Sequence, residues 1–236
     1  MQSQYKKNKN MEGIWNNGYE KKQKFFTKNL DKGKTIYGEN TVLLDEAGTI
    51  ELREWNPYRS KLAAALHNGL SKTYLNKDSK VLYLGASSGT TVSHVSDIIT
   101  KGVVYAVEFS ARSVRDLVLN CFGRPNVIPI MGDANYPYKY SKFVFGKIDL
   151  MYQDIAQPNQ TEILIKNAKY YLSTGAVIMF AIKARSISAT KGLKDLFDEE
   201  LKMLEQNNIE ILEKLTLVPY SKEHLFVVGR YYESHA

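Results

Sequence analysis

The sequence holds a single cysteine, Cys121, in 236 residues, which excludes an internal disulfide and any metal site built from several thiolates. Cys121 falls just after Leu119 in an apolar helical pattern and reads as a packing residue rather than a nucleophile. The four histidines, at 67, 94, 224 and 235, show no paired ligand spacing, so no metal centre is expected, and His94 reads as a packing or capping residue of its helix. No apolar run approaches the ~20 residues needed to span a bilayer. The opening MQSQYKKNKN lacks the apolar segment of a secretion signal, so an intracellular setting without membrane contact is expected. Internal repeats, low-complexity blocks and arginine–glycine repeats are missing too, which removes solenoids and one kind of RNA-binding tail.

What is there is an ordinary globular composition, 44% hydrophobic and 24% charged, with a formal charge of +7. The length allows one sizeable core with a small extra unit. The positive surplus is uneven. Residues 1–34 contain nine lysines against Glu12, Glu20 and Asp31, and this lysine-rich start reads either as a solvated tail or as an arm that attracts phosphates.

From Val81 onward, apolar runs (VLYLG, VVYAVEF, NVIPIMG, IDLMY, AVIMFAI) alternate with helix-like stretches such as TTVSHVSDIIT, ARSVRDLVLNCF and TEILIKNAKYYL. That alternation predicts a parallel sheet with helices on both faces. After Lys183 a polar helix leads to IEILEKLTLV and HLFVVGRYY, joined by the turn-like PYSKE, which predicts an antiparallel pair at one sheet edge. Five parallel strands closed by such a pair describe a Rossmann-like methyltransferase sheet better than a dehydrogenase. Residues 1–54 read as a small β-rich N-terminal domain, with KFFTKNL, NTVLLDE and TIELREW separated by turn chemistry, ahead of an α/β domain over 55–236.

In open α/β sheets ligands bind outside the carboxyl ends of the strands, and four such ends carry suggestive residues here. The first βα turn, LGASSGTT, places Gly85 where backbone must approach a ligand or neighbour closely. Glu108 follows the second strand, about 20 residues downstream, where an acid accepts from ribose hydroxyls. Asp133 follows the third, placed to accept from an adenine amino group. Asp154 follows the fourth in DIAQPNQTE, either as a functional carboxylate or as a cap for the helix beginning near Pro158. Carboxylates prefer water unless paired or bound, so successive acids at strand ends point to a ligand. No GK[ST] follows Gly89, and a polyphosphate would be repelled by these acids, whereas a sulfonium nucleoside such as S-adenosylmethionine suits them. NAD is the alternative on fold grounds.

The stretches EWNPYRSKLAAAL, VLYLGASSGTTVSHVSDI, YAVEFS, DIAQP, IKARSI and PYSKEH resemble, in order and spacing, the fibrillarin family of RNA 2′-O-methyltransferases, over roughly residues 35–232. The compact archaeal form is the nearer likeness, since the glycine- and arginine-rich extension of eukaryotic members is missing; cytoplasmic residence is implied for that form, and nucleolar residence for a eukaryotic one. The resemblance implies a class I S-adenosylmethionine-dependent fold and a catalytic set of Lys61, Asp154, Lys183 and His224. In that set Lys183 orients and helps deprotonate the ribose hydroxyl, and Asp154 holds it. It also implies donor contacts from Gly85, Thr90, Thr91, Glu108, Phe109, Asp133, Ala134, Asp154, Ile155, Ala156 and Gln157. His224 begins an edge strand and also has a purely structural reading.

Arg59, Lys61, Lys183, Arg185, Lys191 and Lys194 flank the expected site and suit phosphate contacts, which position RNA without specifying sequence. No RNA-recognition motif accompanies them. The resemblance supplies specificity from elsewhere: a box C/D guide RNA pairs with the target rRNA or tRNA, while a Nop-domain scaffold and a kink-turn-binding protein hold the enzyme. Protein glutamine methylation and a non-catalytic assembly role are the competing functions; intact strand-end acids and lysines argue against the latter.

Overall fold

A computed structural model of the chain describes residues 5–18, 23–44 and 47–233. The expectations for residues 1–4, for Glu20, Lys21 and Lys22, for Asp45 and Glu46, and for His235 lie outside the described residues.

The chain opens with five short strands, β1 (Lys6–Lys7), β2 (Ile14–Asn16), β3 (Phe25–Lys28), β4 (Thr41–Leu43) and β5 (Glu51–Glu54). They form one antiparallel sheet in the order β1-β2-β3-β5-β4. Ordered pairing of Lys6 and Lys7 with Trp15 and Asn16 means that the lysine-rich start, from Tyr5 onward where described, belongs to this sheet rather than to a tail. Met11, Ile14, Phe25 and Trp55 are buried and merge with the core beneath the second sheet, so the two units share one apolar interior.

The second sheet contains β6 (Lys80–Leu84), β7 (Val103–Glu108), β8 (Val127–Met131), β9 (Ile148–Gln153), β10 (Leu172–Lys183), β11 (Ile209–Thr216) and β12 (His224–Tyr231). Its order is β11-β12-β10-β9-β6-β7-β8. The five strands β6 to β10 are parallel, and β12 runs antiparallel between β10 and β11. Central strands bury both faces, so they read as continuous apolar runs: Val81 and Tyr83 face one core, Leu82 and Leu84 the other. The helices α1 (Lys61–His67), α2 (Thr90–Ile98) and α3 (Ala111–Asn120) cover the first face. The second carries α4 (Gln160–Tyr171) and, beyond the one-turn α5 (Ala184–Ile187), α6 (Leu193–Gln206). Strand order reverses between β6 and β9, and this switch point opens the crevice in which such sheets bind ligands. No helix among the described residues is long and apolar enough to cross a membrane, and no cluster of ligating side chains among them would hold a metal.

Three buried or half-buried imidazoles give the fold an acid sensitivity. Burial pushes His67, His94 and His224 below the ordinary value of 6.5, reinforced at His94 by Arg53 and Arg124 and at His224 by Lys61 and Lys183. Between the folded and unfolded values the unfolded chain binds more protons, so stability is full above about 6.5 and falls as pH drops below it. Thermal unfolding should therefore show a flat midpoint above about pH 7 and a declining one from about pH 6.5 toward pH 5, where carboxylates still hold their charge. A midpoint flat throughout that acid interval would contradict neutral burial of these rings.

Candidate active site

The geometry at the switch point begins with backbone. Asp154, the first residue after β9, donates its N–H to the Leu84 carbonyl at 3.0 Å, which joins the ends of β9 and β6. Gly85 lies directly opposite at φ +83°, and a Cβ there would sit 2.7 Å from the Asp154 carbonyl oxygen, so this approach requires glycine. Gly89, at φ +92°, turns the chain into α2 beneath Leu117 and Cys121.

The Asp154 carboxylate bridges two lysines. Its Oδ2 accepts from Lys61 Nζ at 3.0 Å, and its Oδ1 meets Lys183 Nζ at 2.7 Å. Lys183 Nζ also donates to the Asp154 carbonyl at 3.0 Å. Burial alone would raise the carboxyl pKa, but Lys61 and Lys183 together hold it below the ordinary 3.8. Asp154 is therefore ionised throughout the physiological range. Helix α4 begins six residues later with Asn159 at its cap position, while both Asp154 oxygens face lysines; the capping role does not hold. Ser60 starts α1 by accepting from Ala63 N–H, which fixes Lys61 on the first turn, aimed at β9.

Two lobes meet at this triad. The larger, about 400 Å³, is lined by Glu108, Phe109, Asp133, Ala134, Ile155, Ala156 and Gln157 among others. The smaller, about 320 Å³ and more polar, is lined by Tyr58, Arg59, Lys61, Tyr83, Thr90 and Thr91 among others. Gly85, Ser87, Asp154 and Lys183 border both. Glu108 is held across the mouth of the larger lobe by the N–H groups of Ser87 and Ser110, each at 2.8 Å. Asp133 Oδ1 accepts from the Asn135 backbone and side chain at 2.9 and 3.0 Å, and Asn159 anchors Asn135 in turn.

The predicted residues thus divide. Lys61, Asp154 and Lys183 converge. The predicted donor contacts line the larger lobe, except that Thr90 and Thr91 line the smaller, where the Thr91 hydroxyl donates to Ser60 at 2.9 Å. His224 stands directly across the β10/β12 ladder from Lys183 but lines neither lobe, and its Nδ1 is turned to the Lys222 carbonyl at 2.6 Å. Of the flanking cations, Arg59 lines the smaller lobe, whereas Arg185 is paired with Glu223 and Lys191 with Glu199. His94 does pack: it stacks on Trp55 at 4.9 Å and bonds Thr27 and Tyr37. Tyr58, Tyr83, Ser87 and Asn135 were not singled out by sequence reasoning. Ser87 and Asn135 fall beside glycine- and acid-bearing turns that were noticed; nothing local distinguishes Tyr58, or Tyr83 within an apolar strand.

The larger lobe fits an adenosyl sulfonium. It has two carboxylates at successive strand ends for ribose and base, apolar walls from Val107, Ile155 and Ile163, and no lysine or arginine other than Lys183. Its volume lies within the ~300–1,000 Å³ common for small-molecule sites.

Comparison with known proteins is consistent across sequence and structure. The Fibrillarin family model matches residues 5–233. A Methanocaldococcus jannaschii protein named fibrillarin-like rRNA/tRNA 2′-O-methyltransferase is 49% identical over 203 residues, 86% of each chain. Aeropyrum pernix fibrillarin, solved with natively bound S-adenosyl-L-methionine, superposes with a TM-score of 0.85 at 39% identity over 95% of this chain and 97% of that one. Fibrillarin solved in complex with Nop5p gives 0.82 at 41% identity over 94% and 98%.

Proposed function

Because the chain belongs to the fibrillarin family, we infer that it is an S-adenosylmethionine-dependent ribose 2′-O-methyltransferase of rRNA and tRNA, working in a ribonucleoprotein with a Nop-domain protein. We further propose that a box C/D guide RNA selects the nucleotide, that a kink-turn-binding protein anchors the guide, and that the enzyme resides in the cytoplasm like the compact forms it resembles. The observation that carries the chemical reading is Asp154 bridging Lys61 and Lys183 at the junction of the two lobes.

S-adenosylmethionine, bound in the larger lobe, would supply an electrophilic methyl group. The chain's own residues would do the rest. Glu108 and Asp133 hold the ribose and base of the donor. Arg59, on the wall of the smaller lobe, steers the phosphates of the acceptor strand. Lys61 directs its ammonium at the ribose 2′-oxygen, stabilising negative charge as it develops there. Lys183 Nζ, having released a proton to solvent, receives the hydroxyl proton, and Asp154 holds the ammonium that re-forms. Asp154 serves because its charge is permanent over the working pH range. His224 acts from behind Lys183, through the strand ladder, rather than at the reacting atoms.

Incubation of the chain, reconstituted with guide RNA and protein partners, with labelled methyl donor and a matched RNA should place the label on one ribose 2′-oxygen. Label on a glutamine side chain instead would overturn the RNA assignment. The donor site has its own check. Glu108→Ala should weaken donor binding by about 10- to 100-fold, the loss of a charged acceptor for ribose hydroxyls. Calorimetry giving parental affinity with a folded variant would remove Glu108 from the donor site.

A further inference from the structure

A further depression on the described surface is remote from the active site. A groove of about 890 Å³ runs between the N-terminal sheet, the segment of residues 72–77 that precedes β6, and the carboxyl end of α2. It lies at the amino ends of the parallel strands, whereas the two lobes lie at their carboxyl ends. The five residues of β6 separate the two by about 17 Å at ~3.3 Å per residue.

The charge in this groove is predominantly positive. Lys7, Lys9, Lys28, Lys72 and Lys77 line it, all exposed, and no carboxylate of a described residue lies within ion-pair distance of any of them. Two acids share the lining. Asp97 is buried and taken up by Arg53 and Arg124, and the Glu12 carboxylate accepts from the Lys77 backbone N–H at 3.3 Å. Five ammonium groups along one concave wall outnumber its single exposed carboxylate, Glu12, and together attract anions.

The groove also has aromatic surfaces. Trp15 and Tyr74 are half-buried on its wall, each with an ammonium over its ring: Lys7 Nζ is 5.3 Å from Trp15, and Lys72 Nζ 4.9 Å from Tyr74. Tyr74 occupies a left-handed backbone conformation, φ +55°, that a bulky residue rarely adopts. Asn8, Asn10 and Asn76 add amide donors and acceptors. Lysines spaced along a groove with interleaved aromatic faces form a surface for single-stranded nucleic acid, because phosphates follow the charges and any base can stack. A duplex would present only phosphates, and the half-buried rings would have no unstacked base to meet.

We propose that this groove binds a single-stranded RNA segment, its phosphates along the five lysines and a base against Trp15 or Tyr74. The proposal rests on RNA being the substrate class and adds a second contact surface at the opposite end of the molecule. It holds RNA that the active site does not touch, which raises the local concentration of substrate without contributing to the chemistry.

The test uses the full chain and a fluorescently labelled uridine oligonucleotide, with affinity followed by anisotropy across a salt series. Joint replacement of Lys28, Lys72 and Lys77 by glutamine should flatten the slope of log affinity against log salt by about 2, at ~0.7 per lost single-strand phosphate contact. Trp15→Ala should weaken binding about 5- to 100-fold through lost stacking, and Trp15→Phe should restore most of it. Donor affinity by calorimetry should match the parent in each variant, which shows an intact fold. A parental slope and affinity in the folded triple variant would overturn the proposal, and so would preferential loss of duplex rather than single-strand binding. Failure of the parental chain to methylate guided RNA would strike the enzyme assignment instead, and would leave the groove's binding of the oligonucleotide as it was.

Discussion

Replacing Lys183 with alanine is expected to slow single-turnover ribose methylation by about 10²- to 10⁴-fold, the range for loss of a positioned proton-transfer group. Lys183 contacts Asp154 twice, through the carboxylate at 2.7 Å and the carbonyl at 3.0 Å, at the border of both lobes. Donor affinity should persist, because Glu108 and Asp133 sit on other strand ends and take their own hydrogen bonds from Ser87, Ser110 and Asn135. Association with the Nop-domain protein should persist as well. A rate loss caused by misfolding would lower all three observables together, so the contrast separates chemistry from assembly. Lys61→Ala should also be slow, yet retain Asp154–Lys183 pairing, and the double variant should be much less impaired than the product of the single effects. Parental single-turnover rates with saturating donor and preassembled particle would reject Lys183 and move the proton acceptor elsewhere on the smaller lobe.

Much of this site was legible because its residues obey a positional rule. Continuous apolar runs such as VLYLG and IDLMY announce strands buried on both faces, and the residue ending each run must lie at one edge of the sheet. Gly85, Glu108, Asp133 and Asp154 could therefore be placed together from their spacing to strands. The sequence also showed Lys183 at a strand end, but Lys61, 93 positions from Asp154, entered the set through family resemblance, not spacing, and its contact with Asp154 is seen only in the fold. Tyr83 was hidden by its own strand: an aromatic in an apolar run looks like core, and it is core, stacked on Tyr152 at 4.5 Å while its edge lines the smaller lobe. The lysine-rich start stayed open between two readings for a physical reason. The lysines on the two-residue β1 and at the end of the four-residue β3 lie on exposed positions, and among the described residues before Phe25 only the scattered Met11 and Ile14 are buried hydrophobics that tie the segment to the core.

Least legible was a buried charge network, since charged residues are expected at the surface and nothing in sequence marks those that are not. Arg53 is fully buried on β5. Its Nε lies 3.0 Å from Asp97 of α2, its Nη1 lies 3.0 Å from Glu39, and its Nη2 donates to Ser93 Oγ at 2.6 Å. Arg124 reaches the other Asp97 oxygen and donates to Asn29, while Thr27 donates to Asp97 at 2.6 Å. Through these bonds the N-terminal sheet grips the helix whose first turn carries Thr90 and Thr91.

Arg53→Met should destabilise the protein by about 3–5 kcal/mol, because it removes the partner of two buried carboxylates while leaving their charges in place. Glu39 would keep only the Ile36 and Tyr37 backbone donors, and Asp97 would have to rely on Arg124, Thr27 and the Leu30 N–H. A lower urea midpoint with an unchanged denaturant slope is the expected signature, since the loss lies in the folded state rather than in the surface exposed on unfolding. Arg53→Lys should fall between parent and Arg53→Met: it restores a charge, but an ammonium cannot reach Glu39, Asp97 and Ser93 in one planar fork. Arg185→Ala is the control. Its pair with Glu223 is solvent-exposed, and loss of such a pair should leave the midpoint within error. If Arg53→Met shifted the midpoint no more than Arg185→Ala, the network would have no part in joining the N-terminal sheet to α2. If the large shift is found, RNA affinity in the still-folded variant becomes informative, because a loosened α2 would weaken the lobe lined by Thr90 and Thr91, while donor affinity, which rests on Glu108 at the end of β7 and Asp133 just beyond β8, should persist.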